Sequence, residues 1–280
     1  MTRRTVFSVL GCTVVFAGLV CAFEKPFRQL RSLEAYDAVE LPADYAERTE
    51  WTFARLMYPP HPNARFSRRR WGGALDWTQG GTSWSQDYPR ADRHFAQALR
   101  RLTRVHTRSV EQPVNPDDTD DIYDWPWLTA GEMGDWLLTD SQVKTLREYL
   151  LRGGFLLLDD FWGTEEWDRF NETMAKIFPN RPIVEIADGD PSFHAVYDLD
   201  ERFTIPGQWG MRRACLCRND GEVPHWRGIY DDKGRLMVAM MFNNDVGDSW
   251  EWADDPSYPE KFSSLGIKLG VNYVIYAMTH

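Results

Sequence analysis

Four consecutive large apolar residues, Phe155-Leu156-Leu157-Leu158, stand between Gly153-Gly154 and Asp159-Asp160. Side chains alternate between the two faces of a strand, so a strand that is apolar at every position must be covered on both. A central parallel strand with helices above and below it meets that requirement. The flanks agree. Before the run, Thr139 and Gln142 have capping-box spacing for a helix whose Val143, Leu146, Tyr149 and Leu150 share one face, and Gly153 supplies the left-handed residue that ends it. After the run, Thr164 is placed to cap a second helix with Trp167, Phe170, Met174 and Ile177 on its buried stripe, ended by Pro179. The alternation predicts a doubly wound, mostly parallel α/β sheet.

The remaining segments extend this pattern. Trp51 to Tyr58 suits a first strand closed by Pro59-Pro60, and Asn63 to Gln86 is a long Gly-, Arg- and Trp-rich loop. Asp87-Tyr88-Pro89 predicts a helix start, with Asp87 as the cap, Pro89 in the first turn, and Phe95, Leu99 and Leu102 on the apolar stripe. Val105 to Val110 reads as a second strand, Asp117 to Asp121 as an acidic loop and Pro126 to Thr129 as a short third strand. Ile183 to Ile186 is a further short strand, and residues 228–242 form a hairpin that turns at Asp232-Lys233-Gly234. Lys261 to Met278 closes the chain as a helix packed through Leu265, Leu269, Tyr273 and Tyr276. Residues 49–280 therefore read as one α/β domain, preceded by a linker over 23–48.

The N-terminus points to export. Arg3 and Arg4 precede the uncharged stretch Thr5 to Phe23, which has the length of a signal h-region or a marginal membrane span. Val20 and Ala22 stand where signal peptidase reads small residues, so cleavage after Ala22 is the preferred reading and an uncleaved anchor the alternative. Thr2-Arg3-Arg4 and Val9-Leu10-Gly11-Cys12 match only parts of a twin-arginine signal and a lipoprotein box. The expected location is periplasmic, or anchored with N-terminal contact to the membrane. The formal net charge of −10 becomes more negative when Arg3 and Arg4 leave with residues 1–22, which disfavours a nucleic-acid partner. Cys12 and Cys21 leave too, so Cys215 and Cys217 are too few for a disulfide scaffold.

Several motifs resemble those of a known family. Phe53-Ala54-Arg55-Leu56, Trp84 with Asp87-Tyr88-Pro89, the block from Leu146 through Gly153-Gly154-Phe155-Leu156 to Asp159-Asp160, Asn244-Asp245-x-Gly247-Asp248-x-Trp250-Glu251, and Gly270-Val271-Asn272-Tyr273-x-Ile275-Tyr276-Ala277 resemble the bacterial domain of unknown function 4159 family. The resemblance runs from about residue 50 to the C-terminus. It implies a class I glutamine amidotransferase-like fold, a flavodoxin-like three-layer sandwich, and assigns no activity. It also implies an envelope setting, among membrane-associated gene clusters with chaperone-type ATPases and von Willebrand factor A proteins.

Ligands of open α/β sheets sit at the carboxyl ends of the strands. Asp159 and Asp160 occupy that place and are the candidate catalytic residues, as a general base or a ligand to a cation, an amine or sugar hydroxyls. The structural alternative is a pair that caps the turn into the next helix. The run from Asn243 to Trp252 concentrates carboxylates, amides and indoles in what reads as a long loop. Arg55, Trp84, Asp87, Asn244, Asp245 and Asp248 are the candidate ligand-binding residues. Asp160, Asp245 and Asp248 are the candidate oxygen ligands for a divalent cation, although the spacing of a calcium loop is absent. A network of Asx turns is the alternative there.

Glu165 and Glu166, with no Gly-rich loop before them, argue against phosphate or dinucleotide binding. An amidotransferase needs a cysteine at a strand–helix elbow, and none stands there; a G-x-S-x-G elbow is missing as well. Cys215-Leu216-Cys217 reads as one strand face, and with His194 or His225 it lacks the usual zinc spacing. Trp71, Trp77, Trp84 and Tyr88, beside Arg65, Arg68, Arg69 and Arg70, suit a glycan or peptide ligand or a roof over the sheet. The expected function is a ligand- or protein-binding module of the envelope, on an amidotransferase-like fold without its nucleophile and with no cofactor. The alternative is a hydrolase-type enzyme using strand-end carboxylates, with or without a divalent cation.

Overall fold

In the computed structural model, which describes residues 26–36, 40–64, 75–118, 120–212 and 216–280, the apolar run becomes strand β4 (Phe155–Phe161) with all seven residues buried. It pairs in parallel with β3 (Trp127–Ala130) on one side and β7 (Leu236–Phe242) on the other. Beyond β3 lie β1 (Ala54–Leu56) and β2 (Gln112–Val114), both parallel to it; beyond β7 lie β6 (His225–Tyr230) and β5 (Val184–Glu185), both antiparallel to their neighbours. The sheet order is β2-β1-β3-β4-β7-β6-β5, so its five parallel strands are doubly wound, with the order reversing at β1.

The helices are α1 (Arg90–Leu102), α2 (Asp140–Leu151), α3 (Gly163–Ile177), the short α4 (Gln208–Arg212) and α5 (Val246–Glu251), and α6 (Glu260–Thr279). Alternation along β4 assigns them to layers. Leu156 and Leu158 share a buried cluster with Val143 and Leu146 of α2 and Phe170 and Met174 of α3. Phe155 and Leu157 face a second cluster with Phe95 and Leu99 of α1, Trp250 of α5, and Leu269 and Tyr273 of α6. The result is a three-layer α/β sandwich.

The helix before β4 is built as its residues dictate. Gln142 N–H donates to Thr139 Oγ1 at 3.3 Å while Thr139 N–H donates to Gln142 Oε1 at 2.9 Å, and Gly153 takes φ 113°. Gly154 must lack a side chain, because a Cβ there would lie 2.3 Å from the Tyr149 ring.

Other local expectations are corrected. The second strand is Gln112–Val114, not Val105 to Val110: Arg108 is buried and donates to the carbonyls of Val110 and Glu111 and to Gln112, which curls the chain, and only Thr107 bridges to Trp51. Thr164 lies inside α3; its amide and hydroxyl donate to Asp220 at 2.8 and 2.6 Å, so the anion at this helix start comes from a distant segment. Asp87 does not cap α1. It takes φ 59°, its carbonyl accepts the Ala91 amide, and Pro89, after a cis bond, stands before the helix. Leu102 is exposed. Residues 246–251 of the supposed loop form α5, capped by Asp245, which accepts the Asp248 amide at 2.9 Å. Leu216 and Cys217 lie outside any strand. Within the segment read as a linker, Leu30 to Glu34 lies against residues 79–88.

The signal or anchor over 1–22, Arg65, Arg68, Arg69, Arg70, Trp71 and Cys215 fall outside the described residues, among which no helix is long and apolar enough to cross a membrane.

Because β4 is packed on both faces, Leu157→Ala should lower stability by about 2–5 kcal/mol in chemical denaturation. The same change at exposed Leu151 should stay within about 0.5 kcal/mol.

Candidate functional site

The segments that leave the carboxyl ends of four of the five parallel strands bring acid to one place. Asp87 ends the loop after β1, Glu132 follows β3, Asp159 and Asp160 close β4, and Asp245 and Asp248 follow β7. Beside them opens a cleft of about 950 Å³, lined by Glu132, Asp160, Asp245 and Asp248 of this group together with Glu34, Asp135, Glu165, Glu166 and Glu251. Its wall carries nine carboxylates and the guanidinium groups of Arg169 and Arg218.

At one end of the cleft, Asp87, Asp245 and Asp248 each turn one oxygen to a common point, with these atoms within 4.8 Å of one another. All three residues are buried. Two oxygens on one ion at 2.4 Å cannot stand farther apart than this, so the spacing fits a single Ca²⁺-sized cation. Two glycines allow the carboxylates to crowd. A Cβ on Gly247 would lie 2.4 Å from Asp87 Oδ2, and one on Gly207 would lie 2.5 Å from Asp245 Oδ2. The Gly247 amide donates to Asp159 Oδ2 at 2.6 Å and the Gln208 amide to Asp248 Oδ2 at 2.6 Å. The second oxygens of Asp87 and Asp159 are buried without a hydrogen-bond partner, an arrangement that natural proteins rarely leave in place without a role.

At the other end, Arg218 binds Asp160 and Glu132 at 3.3 Å each and Glu166 at 3.0 Å. Asp160 also accepts from Trp162 Nε1 at 2.8 Å. Asp87, Glu132 and Asp160 have φ of 59°, 52° and 50°, in the left-handed region that side chains other than glycine enter at a cost. Three such residues on three separate segments, Asp160 at the end of β4 and the other two in loops, place the strain at the site.

Burial is the main electrostatic fact here. It pushes the carboxyls of Asp87, Asp159 and Asp245 well above the usual range, and repulsion from neighbouring carboxylates adds to it. Asp248 is raised for the same first reason. Burial lifts Glu34 to about 7, and burial with the nearby Asp248 lifts Glu251 to about 8. For Arg218, burial works against the charge, but Asp160, Glu132 and Glu166 outweigh it and hold the guanidinium charged. Burial and mutual repulsion both favour a trio that holds protons or a cation over three bare carboxylates.

The sequence candidates divide accordingly. Asp87, Asp245 and Asp248 share the cation-sized point. Asp159 reaches the same place through Gly247, and Asp160, predicted as a metal ligand, is instead engaged by Arg218 and Trp162. Arg55 does not reach the cleft: it forks onto Asp92 and donates to the carbonyls of Trp84 and Gln86, fixing the chain just before Asp87. Trp84 is wholly buried with Nε1 on the Trp77 carbonyl. Asn244 is also wholly buried, and it holds the Ile205 amide and the Phe242 carbonyl. Cys217 is half-buried on the cleft wall, while His194 and His225 are engaged with Asp198 and Glu185. Sequence reading missed Glu34, Glu132, Glu166 and Arg218. Glu132 was within reach of the strand-end rule, since it lies two residues after β3, and Glu166 stands in the first turn of α3, where its charge was read only as disfavouring phosphate; Glu34 and Arg218 come from segments with no periodic signal.

Glu34 and Glu251 have an ordinary carboxyl value of 4.5 and are raised in the folded state. Their contribution to stability is complete below about pH 4.5 and is lost as pH rises through about 7 and 8. Without divalent cations, the melting temperature should therefore fall between pH 5 and 8.5, and Glu251→Gln should flatten that fall.

No curated protein matches this chain. Residues 75–278 match the family described as a domain of unknown function (DUF4159), a span that takes in every carboxylate of the cleft except Glu34, and the chain belongs to that family.

Proposed function

We propose that this chain is an exported binding module, on an amidotransferase-like fold without the elbow cysteine, whose strand-end cleft takes a divalent cation on Asp87, Asp245 and Asp248. The observation that carries this reading is the shared point of three buried carboxylate oxygens. Among the described residues none of the three forms an ion pair with Lys or Arg, whereas Asp160, Glu132 and Glu166 are matched by Arg218. Carboxylate oxygens suit Ca²⁺, Mg²⁺ or Mn²⁺ rather than a soft metal. The cleft beyond the trio has the volume of a small-molecule site, so a glycan or peptide, or a segment of an envelope partner, can complete the shell of a cation held there. Export rests on the sequence of residues 1–22.

A second reading, a hydrolase-type enzyme acting through Asp159 and Asp160, draws on one observation. Asp160 is held at φ 50° at the end of β4, where this architecture places reacting groups.

Titration calorimetry of the full chain with Ca²⁺, Mg²⁺ and Mn²⁺ tests the cation reading. At least one ion should bind, and Asp245→Asn and Asp248→Asn should each weaken it about tenfold or more, which is about 1.4 kcal/mol. At a hundredfold excess over Kd the same ion should add about 2.7 kcal/mol to stability. Absence of binding by all three ions would sink the proposal.

A further inference from the structure

The segment from Leu30 to Tyr36 follows the stretch of chain that carries Asp87. The Arg31 amide donates to the Gln79 carbonyl at 3.2 Å, and the Gly81 amide donates to the Arg31 carbonyl at 2.9 Å. Farther along, the Leu33 amide donates to the Ser85 carbonyl at 3.1 Å, and the Leu30 amide reaches the Tyr88 hydroxyl at 3.1 Å. Gly80 makes the approach possible: it has φ 75°, and a Cβ there would stand 2.1 Å from the Arg31 carbonyl oxygen.

This strap ends on the carboxylates. Glu34 Oε2 accepts the Asp87 amide at 3.1 Å, and the Tyr36 hydroxyl donates to Glu251 Oε1. Leu33 and Glu34 line the cleft. Asp87 is only 5% exposed, and its Oδ1 lacks a partner. Its position depends on a left-handed backbone that the strap holds from one side and Arg55 from the other.

We infer that the strap Leu30–Tyr36 is part of the cation site, positioning Asp87 and adding Glu34 to the wall, so that cation binding and strap docking stabilise each other. The inference rests on the reading that Asp87, Asp245 and Asp248 hold a divalent cation. In an empty site Glu34, Asp87 and Glu251 repel one another when ionised, while a cation gives their oxygens a shared positive partner. Coupling of this kind is reciprocal: whatever displaces the strap weakens the cation by the factor by which the cation tightens the strap.

Hydrogen exchange on the full chain, with and without saturating Ca²⁺, Mg²⁺ or Mn²⁺, reads both sides of the coupling. The cation that binds should slow exchange across residues 30–36 and 79–88 about tenfold or more. Gly80→Ala lifts the strap without replacing any carboxylate residue, so it should weaken that cation about tenfold and remove the added protection. Glu34→Gln, which leaves the Gly80 contact intact, should weaken the cation severalfold and serves if Gly80→Ala fails to fold. A cation that binds the unaltered chain but leaves exchange over 30–36 unchanged overturns the inference and spares the cation reading. So does an affinity unmoved by the folded variants. If none of the three ions binds the unaltered chain, both fall.

Discussion

The constraint on which the rest depends is that β4 is buried on both faces from end to end. Such a strand needs a hydrogen-bonded neighbour on each side and a helical layer above and below, and the chain supplies all four: β3, β7, the α2–α3 layer and the α1–α5–α6 layer. It must also leave the core, and it does so through Asp159 and Asp160. A β-bulge between Leu158 and Phe161 and the left-handed Asp160 turn the chain towards α3. Two carboxylates are thereby fixed where water is scarce.

Arg55 plays the supporting part for the neighbouring strand. It is buried in β1, its charge is matched by Asp92 of α1, and its remaining donors hold the carbonyls of Trp84 and Gln86. A buried ion pair of this kind adds little net stability, since desolvation offsets attraction. Its value here is geometric, because the segment it fixes delivers Asp87 to Asp245 and Asp248.

The fold was legible where periodicity and punctuation act together. The Thr139 cap, the Gly153 stop, the four-residue apolar run and the hairpin turning at Asp232-Lys233-Gly234 each carry a local physical cause, and the architecture follows from their order. The misplacements have causes that no local pattern contains. A buried Arg108 curls the chain past the second strand, Asp220 caps α3 from fifty-six residues away, and Asp87 spends its side chain on the cleft rather than on α1. The site was half legible. Strand-end logic finds Asp159, Asp160, Asp245 and Asp248, because their place follows from topology. It does not find Glu34 or Arg218, which reach the cleft from segments whose course is set by backbone pairing and ion pairing with distant residues. Trp84 and Arg55 were selected for chemistry and turn out to be buried supports, which is the commoner fate of an indole or a guanidinium beside a core.

The two margins of the sheet bear on how this molecule meets others. On one margin, β2 contains Pro113, which lacks an amide proton to offer an added strand. On the other, β5 is only two residues long. Among the described residues, edges this short, one of them bearing a proline, give a foreign strand little backbone ladder on which to build. Such edges favour association through side chains, on the helical layers or on the acidic rim where the strands end.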